Sequence, residues 1–165
     1  MSKFFSIVFS FLFLLSLTGC KLESVGNTLH GFTMRMNDFS ECYNLTDTGY
    51  IYNEKDNTLT KFYDFNTNEI MLQFKINKNN KLSSLNIVFD NIKENNTEEL
   101  AFIKNSIIAF IDNGNLSSEL FEKISFDTVI FQHFYETKKE KIDDIEILID
   151  TTDSGTVITI MKDNP

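Results

Sequence analysis

From residue 28 onward the hydrophobic positions follow two alternating periods. Leu29, Phe32, Met36, Phe39 and Tyr43 recur at steps of three and four, with Cys42 beside them, which marks one face of a helix over about residues 28–44. The period then drops to two. Residues 58–65 are rich in threonine and aromatics, Ile70, Leu72, Phe74 and Ile76 alternate with polar neighbours, and Leu85, Ile87 and Phe89 carry a third strand. Turns at Asn66–Asn68 and at "NKNNK" keep these strands close in sequence, so they form an antiparallel meander.

A second helix starts near Asn96, with Glu99 three places on as a capping-type pair, and Leu100, Ile103, Ile107, Phe110 and Ile111 form its stripe. "DNG" at 112–114 ends it with a glycine. Ser117 is expected to cap a short helix to about Ile124, with Leu116 and Phe121 at the two positions of a hydrophobic staple. Three strands follow, at residues 126–136, 143–151 and 156–162, joined by turns at Lys138–Lys141 and Thr152–Gly155. The order is α-βββ-α-α-βββ, and the simplest packing is a two-layer α+β domain with helices on one antiparallel sheet. The two halves are alike in order, but no residue-level repeat supports a duplication. The order is similar to the helix-on-sheet layout of secretion chaperones, a likeness that carries no site.

The first nineteen residues follow neither period. Lys3 gives a short positive start, residues 4–17 are apolar apart from three serines, and small residues follow. A membrane span needs about 20 apolar residues, so this run is too short. No A-x-A-like cleavage site closes it; Leu17-Thr18-Gly19-Cys20 does. That motif resembles the lipobox of bacterial lipoproteins. The resemblance implies a signal peptide over 1–19, a diacylglyceryl group on Cys20, cleavage before it and acylation of the new amine. It covers the processing segment and leaves the domain family open. Two or more acyl chains anchor stably where one binds marginally. Residues 20–27 then form a lipidated tether of roughly 28 Å when extended, and residues 28–165 a single domain held near the membrane. In Gram-negative lipoproteins aspartate after the cysteine favours the inner membrane; Lys21 stands there, which implies the outer membrane in such a cell.

Loss of residues 1–19 removes Lys3 and no carboxylate, so the formal charge of −9 becomes −10. Such a domain is a poor ligand for nucleic acid, which needs clustered Lys and Arg. It is also mildly repelled by anionic lipid. Acidity suits a basic protein partner and also plain solubility. With Cys20 taken by lipid, Cys42 has no partner in the chain: it is a buried filler or a reactive or intermolecular thiol, and its place on the helical stripe favours burial.

Chemistry is thinly represented. His133 has Ser125 and Asp127 nearby in sequence, but no nucleophile elbow supports a triad, and His30 reads as solvent-facing. Asp143, Asp144, Glu146, Asp150 and Asp153 read as a solvated strand face and turn rather than a carboxylate pair flanking a cleft. "DTTDSG" at 150–155 fails as a calcium loop, because Thr152, Ser154 and Met161 stand where ligands are needed. No metal or cofactor is expected. Twelve Phe remain after the signal, with five Tyr; most fall on core stripes. Phe62, Tyr63, Phe65, Phe134 and Tyr135 are the surplus that could line a ligand cavity or an interface.

The expected function is therefore a non-catalytic protein-binding module anchored in the cell envelope. Its partner is another envelope protein, or an incoming toxin or phage component neutralised as by an immunity-type lipoprotein. A carrier or sensor of an apolar molecule or lipid is the alternative, and it requires an enclosed apolar cavity between helices and sheet. A small hydrolase built on His133 ranks third.

Overall fold

The computed structural model describes residues 27–40, 43, 45–65, 68–90, 92, 96–112, 114–131 and 137–163. Cys20, Cys42, His133, Phe134 and Tyr135 lie outside them. Four helices, α1 (Leu29–Phe39), α2 (Thr97–Ile111), α3 (Gly114–Ile124) and α4 (Phe126–Phe131), form one layer. The other layer is a seven-stranded antiparallel sheet of β1 (Ile51–Asn53), β2 (Thr58–Asp64), β3 (Glu69–Ile76), β4 (Leu82–Phe89), β5 (Thr137–Ile142), β6 (Ile145–Thr152) and β7 (Gly155–Lys162). The strand order is β1-β2-β3-β4-β7-β6-β5, so two meanders meet where their last strands, β4 and β7, pair. The α+β two-layer architecture is thus as the periodicity requires.

Alternation decides which face of the sheet is covered. Ile70, Leu72 and Phe74 of β3, Leu85 and Ile87 of β4, Ile147 and Ile149 of β6 and Ile158 and Ile160 of β7 are fully buried. Phe32 and Met36 of α1 and Phe102, Ile103, Ile107 and Phe110 of α2 close over them. Phe32 meets Phe74 edge-on at 4.7 Å between ring centres. On the opposite, open face Gln73 donates to Thr60 Oγ1 (3.2 Å) and Asn86 donates to Gln73 Oε1 (3.1 Å), a polar ladder across three strands.

Several boundaries differ from the sequence expectation. Residues 126–131 are helical, not the start of a strand. Phe126, Val129 and Ile130 are β-formers, but their spacing of three and four puts all of them in the core from a helix. The expected turn at Lys138–Lys141 lies within β5, and the turn falls at Asp143-Asp144, with Asp143 at φ 52°. "TKKEKI" shows little apolar alternation because it is an edge strand, with β6 as its one strand partner among the described residues. A short β1 is added at the other edge.

The helix ends also shift. The Thr28 hydroxyl caps α1 by accepting from the Gly31 amide (3.1 Å), but the helix stops at Phe39 instead of running to 44. Asn37 explains the stop: its amide donates to Leu45 O (2.9 Å) and accepts from Leu45 N (2.7 Å), turning the chain back. Asp112, not Gly114, takes the left-handed C-cap of α2, and Gly114 opens α3. Ser117 is therefore an internal, buried residue of α3 and not its cap, and Leu116 lies inside the helix instead of ahead of it.

Candidate functional site

At the far end of β2 the backbone passes Tyr63, Asp64 and Phe65 beside the first turns of α2. Because side chains alternate along a strand, Tyr63 faces the helices while Phe62 and Asp64 face the other way. Phe102, one turn into α2, is the hub. Tyr43, Tyr63 and Phe65 surround it with ring centres at 5.3, 5.0 and 5.1 Å. These rings, with Leu45, Asp64 and Glu98, line a surface hollow of about 250 Å³. Phe102 is buried at its floor, the two tyrosines, Phe65 and Leu45 are half-buried walls, and Glu98 is exposed at the rim; Asp64, also exposed, borders the hollow while its side chain lies on the other face of the strand.

Each wall is fixed from behind. Leu45 is held by Asn37, as above. The Tyr43 hydroxyl accepts from Asn105 Nδ2 at 3.1 Å. The Tyr63 hydroxyl shares a 3.0 Å hydrogen bond with Tyr50, and burial raises the pKa of both phenols, so they stay neutral donors and acceptors. Lys61 Nζ lies 5.0 and 5.4 Å from the Tyr50 and Tyr63 ring centres and donates to the carbonyls of Thr46 (3.3 Å) and Thr48 (3.0 Å). The ring system thus already takes an ammonium on one side. Glu98 sits in the first turn of α2, where the helix dipole favours a negative charge. Next to it Glu99 is buried and accepts from Asn68 Nδ2 at 3.1 Å.

Aromatic walls with the Glu98 carboxylate at the rim suit a cation carried on an apolar stem, such as an arginine or lysine side chain. Among the residues singled out from the sequence, Tyr63 and Phe65 meet in this hollow. Phe62 does not: it lies on the open sheet face, 47 % exposed, in a cross-strand row with Met71, Val88 and Val157. On the sequence Tyr43 belongs to the apolar face of the first helix, and Leu45, Glu98 and Phe102 are not singled out. The signal for Tyr43 and Phe102 is their aromatic character within segments that the periodicity assigns to helices.

The other candidates disperse. Ser125 is a turn residue between α3 and α4, and Asp127 pairs with Lys104 at 2.5 Å. Glu146 pairs with Lys139 (3.1 Å), Asp150 accepts from Thr137 (3.0 Å), and Asp144 and Asp153 lie in turns. His30 is exposed, with Nδ1 3.3 Å from Asp47 Oδ2. Among the described residues no group of three or more His, Cys, Asp and Glu could hold a metal ion, and no helix is long and apolar enough to cross a membrane. A second hollow of about 340 Å³, beside β5, is lined by Lys123, Lys138 and Lys139, but Lys123 and Lys139 are paired with Glu119 and Glu146.

No family model, no curated protein and no solved structure matches the chain.

Proposed function

We propose that the protein is an envelope lipoprotein, anchored through Cys20, that acts as a non-catalytic protein-binding module of the immunity type. Its hollow at Tyr43, Tyr63, Phe65 and Phe102 receives a basic side chain of the partner. The observation that carries this reading is the convergence of three half-buried rings on Phe102 with Glu98 at the rim. Charge complementarity supports a basic partner for a domain of formal charge −10 after cleavage. A carrier would need enclosed apolar space, and the layer between helices and sheet is filled by Phe32, Met36, Phe74 and Phe110, all fully buried.

An affinity pull-down of the tethered protein from its own membranes tests the reading, with Cys20→Ala as the unanchored control. The proposal expects one reproducible protein partner, captured by the wild type and lost with Asp64→Asn/Glu98→Gln, and a Cys20→Ala chain that leaves the membrane fraction. Co-purified lipid without protein would favour carriage instead. Capture that ignores the double variant would separate the hollow from binding.

A further inference from the structure

The charge of this domain is not spread evenly along the sheet. The described chain begins at Asn27, whose carbonyl accepts from the Leu82 amide (2.7 Å) and whose side-chain amide donates to Leu82 O. The tether is therefore pinned to the first residue of β4, beside the β3–β4 turn. That turn carries Lys78 and Lys81, with Lys75 just before it, and all three are exposed. Among the described residues none of the three forms an ion pair. Asn77 fixes the turn by accepting from the amides of Asn79 (2.8 Å) and Lys81 (3.0 Å), so the lysines stand on a defined loop.

The neighbouring β1–β2 turn adds Lys55 against Glu54 and Asp56. On the β6–β7 side of the same end, Lys141 is neutralised by Asp163 at 2.5 Å, with Asp143 and Asp144 in the adjoining turn. At the opposite end stand Asp64, Glu69, Asp90, Glu98 and Asp153. Leu82 and Phe89, the ends of β4, are about 23 Å apart at the rise of a strand, and the hollow lies beside Phe89, whose cross-strand row runs through Ile70 to Tyr63.

We infer that the β3–β4 turn is a docking surface for the anionic lipid of the membrane that holds the anchor. Lys75, Lys78 and Lys81 meet the headgroups, and the domain is held with its acidic end and its hollow pointing outward. The inference rests on the anchoring of Cys20 proposed above. Six residues separate Cys20 from Asn27, at most about 25 Å of chain, so a tethered domain keeps this turn within reach of the surface. Whole-domain acidity repels the bilayer. The turn reverses that at the one place where the chain is held against it, and the repelled acidic end adds to the orientation.

The test is a lysine-acylation footprint of the full-length lipidated chain on vesicles, read lysine by lysine by mass spectrometry. Zwitterionic phosphatidylcholine vesicles are compared with vesicles containing phosphatidylglycerol, and flotation of the same samples reports anchoring. Docking predicts that Lys75, Lys78 and Lys81 react about five-fold or more slowly on the anionic vesicles, while Lys123 and Lys138 do not change. The protection should vanish in 0.5 M salt, where the screening length is about 4 Å. A chain that floats with equal lysine reactivity on both vesicles overturns the docking and leaves the anchor standing. Protection shared equally by Lys123 and Lys138 also overturns it. A chain that does not float removes the anchor and the docking together.

Discussion

Lys162 is placed where its charge is costly. Its Nζ lies 4.9 Å from the centre of the Phe110 ring, and burial, with the charge of Arg35 next, lowers its pKa from 10.5 to about 8. The unfolded chain binds this proton more tightly than the folded one. Stability is therefore reduced at neutral pH and rises as pH increases from about 8 toward 10.5. Above about pH 10 the slope reverses, because Tyr50 and Tyr63 are held protonated by burial and ionise first in the unfolded chain. Urea unfolding from pH 7 to 11 should show a maximum near the crossover. Lys162→Met should add about 1 kcal/mol at pH 7, a figure discounted for the side chain's partial exposure, and flatten the rise; a variant profile parallel to the wild type would refute the assignment. Phe102 carries a different load, since three rings pack on it. Phe102→Ala should cost about 3–5 kcal/mol in urea unfolding, and Phe102→Leu distinctly less. The sequence placed Phe102 on a helix, but its role as the meeting point of Tyr43, Tyr63 and Phe65 needs contacts across three segments that no periodicity encodes.

At the scale of elements, the strands read most clearly where one face is buried. β3, β4, β6 and β7 alternate because water lies on one side and the helices on the other. Two elements depart from the sequence expectation for opposite reasons. α4 has the composition of a strand and the spacing of a helix, and tertiary packing followed the spacing. β5 has the composition of a turn, yet its backbone pairs fully with β6 from Thr137 to Ile142. Its lysines suit an edge, where charge discourages pairing with another chain. Lys139→Val with Lys141→Val should therefore produce concentration-dependent self-association in gel filtration at unchanged circular dichroism, and a monodisperse variant would show that the edge needs no such charge. The β6–β7 turn is tighter than its sequence suggests. Gly155 has φ +137°, and a Cβ there would come within 2.6 Å of Phe89 O on the adjacent strand. Gly155→Ala should cost more than about 2 kcal/mol, with hydrogen-exchange protection lost first in β6 and β7; a change under 0.5 kcal/mol would mean that the backbone relaxes freely.

At the scale of the whole molecule, two acidic and aromatic features that were separate in the sequence become one site. Tyr63 and Glu98 are 35 positions apart by number, and the sheet brings the end of β2 to the start of α2 so that both border the same hollow. Net charge alone could not separate a binding role from solubility. The distribution does more: Asp64, Glu69, Asp90, Glu98 and Asp153 stand at the hollow's end of the sheet, and three lysines without an ion pair among the described residues, Lys75, Lys78 and Lys81, stand at the end where Asn27 joins β4. The most direct measurement of the central claim is the dissociation constant of the captured partner for the wild-type chain and for Asp64→Asn/Glu98→Gln, taken at low and at high salt. The account predicts a loss of about ten-fold or more in the double variant, from the combined cation–π and carboxylate contributions, and a salt dependence that the variant largely lacks. Equal affinities for the two chains, with the same salt dependence, would contradict it.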